Sequence, residues 1–235
     1  MRRVMMLYIV FWMLPALAVA QMDEFQQVFI QTNQRYLSEK NIMVAQHYLF
    51  SLDSVTATPI DSGYCYIEKN DKVMHYRFNG VESFNDGTYL IRINNPDRYM
   101  IVSQSNKADS SAPEFLFKEG FSGFKNAEKK SISVELSLWK LTGGTYGVPE
   151  VSITIDTREA RIWNVISELS PDNPYVIQIN ANRSKTPHKV FVRIDYAYTT
   201  EVSKEKPQFS DYIHVENDVV TPAEKFKDYQ IKFIK

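Results

Sequence analysis

The chain has 235 residues and a formal net charge of −1 at pH 7, and 44% of its residues are hydrophobic. This charge balance argues against a nucleic-acid partner, because nucleic-acid binding needs a concentrated basic surface. The 14 Phe and 14 Tyr residues supply ample apolar material for a core, and a chain of this length fits one domain.

The first segment has the organisation of a signal peptide. Two arginines precede an apolar run over residues 4–14, which Pro15 ends, and Ala18-Val19-Ala20 is the small-x-small pattern that a signal peptidase recognises. The run is shorter than the roughly 20 residues that cross a bilayer; a retained membrane anchor is the alternative interpretation. We expect residues 1–20 to be removed and residues 21–235 to form a single domain. That product would be a soluble, exported protein without stable membrane insertion.

The segment after the predicted cleavage point has the pattern of an amphipathic helix. Its apolar residues recur at spacings of three and four, which places them on one stripe. They are Met22, Phe25, Val28, Phe29, Tyr36 and Leu37. Such a helix must pack its stripe against another part of the chain.

From Asn41 onward the apolar residues recur with a period of two, and turn signals separate the runs. Strict alternation is typical of strands that are buried on one face and solvated on the other, hence of an antiparallel sheet. The predicted strands cover residues 41–50, 72–80, 131–140, 151–155, 190–198 and 229–233. Residues 160–169 fit a helix or a strand, and the strand-like run before them favours a hairpin.

Residues 84–105 predict two short strands joined by a tight turn. Tyr89, Ile91 and Ile93 would share one face of the first, and Tyr99 and Ile101 one face of the second. The question that this run raises is what so many large side chains on one face pack against or bind.

Residues 103–130 do not continue the period-two alternation of the predicted strands. A polar stretch is followed by Phe115, Phe117, Phe121 and Phe124, and four phenylalanines argue against plain disorder. A loop that caps one end of the core is one interpretation. The other is a mobile apolar lid that would hinge at its glycines.

No catalytic motif is evident. The four histidines are scattered without the spacing of a metal site, and neither a phosphate-binding loop nor a nucleophile elbow is present. We therefore expect a protein that is not an enzyme and has no metal and no cofactor. Cys65 is the only cysteine, so no internal disulfide can form; we expect a buried, inert thiol, with a reactive thiol as the alternative.

Residues 62–103, with the later run VSITIDTREARIWNVI, resemble the bacterial periplasmic lipoprotein carriers, LolA and its relatives. The shared features are an export signal, an amphipathic helix and a series of antiparallel strands with an Asp-Gly turn. The sequence departs from that family in two places. The Pro-x-x-Phe-Arg-Trp segment is missing, and the first predicted strand has no arginine.

The resemblance implies a mainly β fold with α structure: an incompletely closed antiparallel β-barrel, or curved sheet, covered by the N-terminal helix. It also implies an apolar interior that accommodates acyl chains. The residues expected to line it are Tyr76, Phe78, Tyr89, Ile91 and Ile93, with Phe115, Phe117, Phe121 and Phe124 as the lid. The alternative is that the lining residues simply pack against the N-terminal helix.

Two functions follow from these expectations. The first is a soluble periplasmic carrier or chaperone that binds the acyl chains of lipoproteins or another hydrophobic client. The second is a structural component of an envelope machine, such as a secretion system, that uses the same fold to bind envelope proteins. The export signal, the one-sided apolar strands and the aromatic segment 115–124 support the first. The missing carrier residues and the exposed strand edges are the reasons to consider the second.

Overall fold

The computed structural model describes residues 21–104, 121, 123–144, 148–181, 187–202, 207–216 and 219–234. The predicted signal peptide lies outside these residues. Within the described ranges, no helix combines the length and the apolar character needed to cross a membrane.

Helix α1, residues 21–38, confirms the predicted N-terminal helix. Met22, Phe25 and Phe29 are buried, and their spacing of three and four residues forms one stripe. This stripe is the apolar face through which α1 packs.

The far end of α1 differs from the sequence prediction. Thr32 continues the buried stripe, and its hydroxyl donates a hydrogen bond to the Val28 carbonyl at 3.0 Å. Leu37, predicted to lie on the stripe, is half exposed. Five residues separate it from Thr32, which on a helix places it well away from that face.

Fourteen strands and a second α-helix follow in the described part of the chain. Their bounds are β1 Asn41–Leu52, β2 Asp61–Asn70, β3 Val73–Phe78, β4 Val81–Asn85, β5 Tyr89–Asn94, β6 Tyr99–Gln104, β7 Asn126–Ser131, β8 Leu136–Thr142, β9 Glu150–Asp156, β10 Arg161–Glu168, α2 Pro174–Ala181, β11 Val190–Thr199, β12 Ile213–Glu216, β13 Val219–Pro222 and β14 Gln230–Ile234. The strand interpretation of residues 160–169 is confirmed by β10. A register shift in its pairing with β9 falls between Ile162 and Asn164, and Trp163 at this irregularity is 54% exposed.

Twelve of these strands form one sheet in the hydrogen-bonded order β14-β6-β5-β4-β3-β2-β1-β11-β10-β9-β8-β7, and β12 pairs with β13 separately. The order begins at β14 and ends at β7, so the hydrogen bonds of the described strands do not close the sheet. The hairpin pairings are antiparallel, whereas β14 lies parallel to β6. The predicted fold class, a mainly β chain with an incompletely closed sheet and an N-terminal helix, is confirmed.

Internal contacts divide the chain into two compact units. Unit 1 is drawn from Met1–Tyr36, Tyr48–Ser62 and Phe115–Asp195, and unit 2 from Leu37–His47, Gly63–Glu114 and Tyr196–Lys235. Each unit has its own buried residues, and the two are described separately. A single domain over residues 21–235 stays a prediction.

In unit 1, the strand predicted over residues 131–140 is wrong in its first half. Strand β7 ends at Ser131 and β8 begins at Leu136, with a turn between them. The hydroxyl of Ser133 accepts hydrogen bonds from the backbone N–H groups of Glu135 at 3.3 Å and Leu136 at 3.1 Å. A serine that bonds nearby backbone in this way competes with the strand ladder, which explains the turn.

Alternation through residues 131–140 predicts that Ile132, Val134, Leu136 and Leu138 are buried, but β8 buries the opposite face. Ser137, Trp139 and Leu141 are buried, whereas Leu138 is only partly so. The register pairs Trp139 with Ile153 of β9 and Leu141 with Val151. Residues that face each other across paired strands lie on the same side of the sheet, so these apolar side chains share one face.

Candidate functional site

The feature of unit 1 that most resembles a binding site is an aromatic cluster between α1 and the sheet. We call it the helix–sheet aromatic cluster; it consists of Phe25, Phe29, Phe121, Phe124 and Trp139. The Phe25 ring lies 5.5 Å from the Trp139 ring and 6.0 Å edge-on from Phe121. Phe121 also meets Phe29 edge-on at 5.1 Å and lies 6.3 Å from Phe124.

Beneath these rings lies a continuous apolar surface of β8, β9 and β10, which we call the apolar floor. Register places its residues on one face: Ile153 opposite Trp139, and Ile155 opposite Ile162. Its members are all buried. They are Trp139, Leu141, Val151, Ile153, Ile155 and Ile162. Since α1 contacts this face through Phe25, the helix acts as its cover.

Gly144 allows the Phe124 ring to lie directly against the backbone. A Cβ atom at this position would clash with the Val148 carbonyl oxygen and come within 2.8 Å of that ring. Glycine at position 144 therefore permits both the close backbone approach of Val148 and the position of the Phe124 ring.

Polar groups mark the edge of the cluster. The Lys129 ammonium lies 5.2 Å from the centre of the Trp139 ring and donates a hydrogen bond to Glu24 of α1 at 2.6 Å. Both charged side chains are partly exposed. The last turn of α1 is held separately, because Lys69 Nζ donates to the Leu37 carbonyl at 2.6 Å.

The indole N–H of Trp139 is an exception to the usual satisfaction of buried polar groups. Trp139 has no exposed surface, and its Nε1 has no hydrogen-bond partner among the described residues. Buried tryptophan N–H groups normally find an acceptor.

Of the predicted lid, Phe121 and Phe124 belong to the helix–sheet aromatic cluster. Phe115 and Phe117 lie outside the described residues. That Phe121 and Phe124 move as part of a lid stays a prediction.

The five predicted lining residues lie in unit 2, and the structure divides them between two faces. Register places Tyr76 opposite Ser83 on one face, and Ile91 opposite Phe84 on the other. By alternation, Phe78 joins Tyr76, and Tyr89 and Ile93 join Ile91. The sequence-predicted set is therefore not one continuous surface.

Ile91 and Ile93 are fully buried in a core that the C-terminal segment completes. Phe84, Met100, Val102, Tyr212, Ile213 and Phe226 are the other buried members of this core. Tyr89 is partly buried and stacks on Phe209 at 4.6 Å. The side chains of β5 and β6 that share the face of Ile91 thus pack against the chain's own C-terminal segment, whereas Tyr99 and Ile101 lie on the opposite face of β6.

Tyr76 lies beside Cys65 on the other face. Cys65 has no exposed surface, which confirms the predicted buried thiol. Burial raises the pKa of this thiol to about 11, and hydrogen bonding with Tyr76 acts in the opposite direction.

Unit 2 also has an open cleft of about 420 Å³, which we call the aromatic cleft. Its lining residues are Met43, Tyr64, Tyr66, Arg77, Phe78, Asn79, Gly80, Val81 and Glu82. The rings of Tyr64 and Tyr66 lie 6.3 Å apart, and Tyr64 stacks on His47 at 4.3 Å. The Arg77 guanidinium lies 5.7 Å from the centre of the Tyr66 ring.

A charged network closes one side of the aromatic cleft. Glu82 Oε2 lies 3.2 Å from His75 Nε2, and Asn95 donates to Glu82 Oε1 at 2.9 Å. Hydrogen bonding to His75 lowers the pKa of Glu82 from about 4.5 to about 2; burial opposes this shift and the bond from Asn95 adds to it. Glu82 is therefore ionised at any physiological pH.

Sequence reasoning missed two parts of these sites. Trp139 lies within the strand predicted over residues 131–140 but on the face predicted to be solvated, and its spacing of two from Leu141 is the signal that would have found the buried face. The stack of His47, Tyr64 and Tyr66 joins residues of β1 and β2, and no local pattern shows that pairing.

No protein-family model and no curated protein matches the sequence. Several solved structures resemble the fold. An uncharacterized conserved protein from Thermus thermophilus is 9% identical with a TM-score of 0.45, over 90% of this chain and 99% of that chain. The Mycobacterium tuberculosis lipoprotein LppX is 12% identical with a TM-score of 0.39, over 76% and 97%.

A LolA superfamily protein from Nitrosomonas europaea is 10% identical with a TM-score of 0.31, over 76% of this chain and 94% of that chain. At these identities and scores the likeness concerns the fold alone, and function has to be argued from the sites.

Proposed function

We propose that this protein is an exported, non-enzymatic carrier that works in the periplasm and binds the acyl chain of a lipoprotein, or of another hydrophobic client. In this proposal the chain lies on the apolar floor, beneath α1. The observation that carries it is the helix–sheet aromatic cluster, which covers a continuous apolar face with rings from α1 and from Phe121 and Phe124.

The way in which α1 covers the apolar floor allows the helix to be displaced. The floor strands β8, β9 and β10 are hydrogen-bonded to one another, so their ladder does not depend on α1. An acyl chain that enters beneath α1 replaces ring contacts with its own apolar contacts. Each CH₂ group that it buries contributes roughly 0.8 kcal/mol.

The ion pair at the edge of the helix–sheet aromatic cluster is weak enough to break when α1 opens. The ion pair between Glu24 and Lys129 is partly exposed, and exposed pairs typically contribute only about 0.2–1 kcal/mol. This pair adds little to the hold on the first turn of α1, which depends mainly on the burial of Met22 and Phe25. We infer that α1 opens only as these side chains leave the floor.

Displacement of a fluorescent fatty acid tests this proposal. Ile153→Ala removes part of the apolar floor. We expect about tenfold weaker binding of the fatty acid, because its hydrocarbon chain loses contacts worth roughly 1.4 kcal/mol. Ile91→Ala is the matched control, since both isoleucines are fully buried but Ile91 lies in the core of unit 2. Equal weakening by both variants, or no binding by the unchanged protein, would refute the floor as the site.

The aromatic cleft favours a second candidate function, an interaction component of an envelope machine. Tyrosine and arginine are enriched among the residues that dominate protein interfaces, and Tyr64 is 51% exposed there. Cross-linking in the native envelope tests it. Tyr64→Ala should abolish the cross-link to a partner. Trp163→Ala, which removes an exposed aromatic side chain of unit 1, should leave that cross-link intact. Identical cross-linking patterns for the two variants would rule out this function.

A further inference from the structure

The buried indole N–H of Trp139 is the one polar group of the apolar floor for which the structure gives a reason to expect a ligand. The side chain is fully buried, and its Nε1 finds no acceptor in the described part of the chain. A buried donor without a partner costs free energy, which a bound acceptor would recover. Such a group calls for an explanation in a native structure.

The surroundings explain why the protein itself does not supply the acceptor. Trp139 pairs across the sheet with Ile153 on one side and Lys129 on the other. Phe25 lies over it at 5.5 Å. An isoleucine side chain, a phenylalanine ring and an ammonium group all lack a hydrogen-bond acceptor of ordinary strength.

We propose that Trp139 determines specificity for the carbonyl group of the client, and that its N–H donates a hydrogen bond to the ester or amide carbonyl that joins an acyl chain to its carrier. This inference rests on the proposed function, because the chain must first enter beneath α1. The apolar floor then binds the hydrocarbon, and Trp139 distinguishes an acyl group from an alkyl group of the same length.

The selectivity follows from the cost of an unmade hydrogen bond. A client with a carbonyl satisfies the N–H, whereas a client without one leaves it buried and unpaired. Since a hydrogen bond of this kind changes binding by roughly fivefold to tenfold, the preference should be measurable. A water molecule that already satisfied the N–H would remove the preference.

Two probes of matched chain length test the inference: methyl dodecanoate, and tetradecane, which has no hydrogen-bond acceptor. The ratio of ester affinity to hydrocarbon affinity should be roughly fivefold to tenfold higher in the unchanged protein than in Trp139→Phe, with hydrocarbon affinity maintained in the variant. Trp163→Phe, which removes an exposed tryptophan, should keep the higher ratio.

Nuclear magnetic resonance of the indole N–H groups provides a measurement that does not depend on a variant's stability. The Trp139 resonance, assigned by its loss in Trp139→Phe, should shift downfield with the ester and not with the hydrocarbon. An affinity ratio that Trp139→Phe leaves unchanged, or no downfield shift with the ester, would overturn the role of Trp139 and leave acyl binding standing. Failure to bind either probe would overturn the proposed function as well.

Discussion

Truncation of Phe25 should release α1 from the floor without unfolding the sheet. Phe25 is 1% exposed and contacts the rings of Trp139, Phe29 and Phe121. Replacing a buried phenylalanine with alanine typically costs about 3–5 kcal/mol. Where that cost falls on the closed state of α1, the equilibrium constant for opening the helix rises roughly 10²-fold to 4 × 10³-fold, because 1.4 kcal/mol corresponds to tenfold.

Hydrogen exchange followed by mass spectrometry measures this opening directly. In Phe25→Ala, amides of α1 should exchange roughly 10² to 4 × 10³ times faster, up to the limit set by the stability of the closed helix. Amides of β9 should change far less. Ile30→Ala is the control, since Ile30 lies on the same helix but is 53% exposed. Equal acceleration of α1 and β9 would show one cooperative core and would refute a displaceable cover.

Three further predictions concern charge and reactivity. The lowered pKa of Glu82 means that its contribution to stability, about 2–3 kcal/mol, is complete above pH 4.5 and is lost as the pH falls towards 2. Urea unfolding should therefore show that the free energy of unfolding falls more between pH 5 and pH 2.5 in the unchanged protein than in Glu82→Gln. Equal decreases in the two proteins would contradict the role of Glu82. Cys65, whose pKa is raised to about 11, should react with iodoacetamide at pH 8 more than about 10²-fold slower in the folded than in the unfolded protein; comparable rates would show an accessible thiol. Glu24→Gln should tighten fatty-acid binding about twofold by weakening the closed state, and weaker binding would show that the pair belongs to the bound form.

The elements that local patterns specify could be predicted from the sequence. The spacing of Met22, Phe25 and Phe29 defines α1, and period-two alternation defines β3, β9 and β11. The prediction failed where one side chain overrode the pattern, since Ser133 makes a turn inside an apparently continuous strand. Such local hydrogen bonds leave no trace in hydrophobic periodicity.

The candidate sites were harder to predict because they depend on contacts between distant parts of the chain. Alternation groups Tyr89, Ile91 and Ile93 correctly, but it does not show that the C-terminal segment around Phe226 buries them. It likewise gives no relation between Tyr76 and Ile91, which lie on different strands and on opposite faces. Only the register between strands supplies that information.

Cross-linking of α1 to the sheet tests the central claim most directly. Glu24→Cys with Lys129→Cys places two partly exposed thiols where an ion pair now joins α1 to β7, and the native Cys65 is buried. A short bismaleimide with a cleavable disulfide would join them. We predict that the linked protein loses binding of a fluorescent fatty acid and regains it after reduction, and unchanged binding in the linked state would contradict a cover that must open.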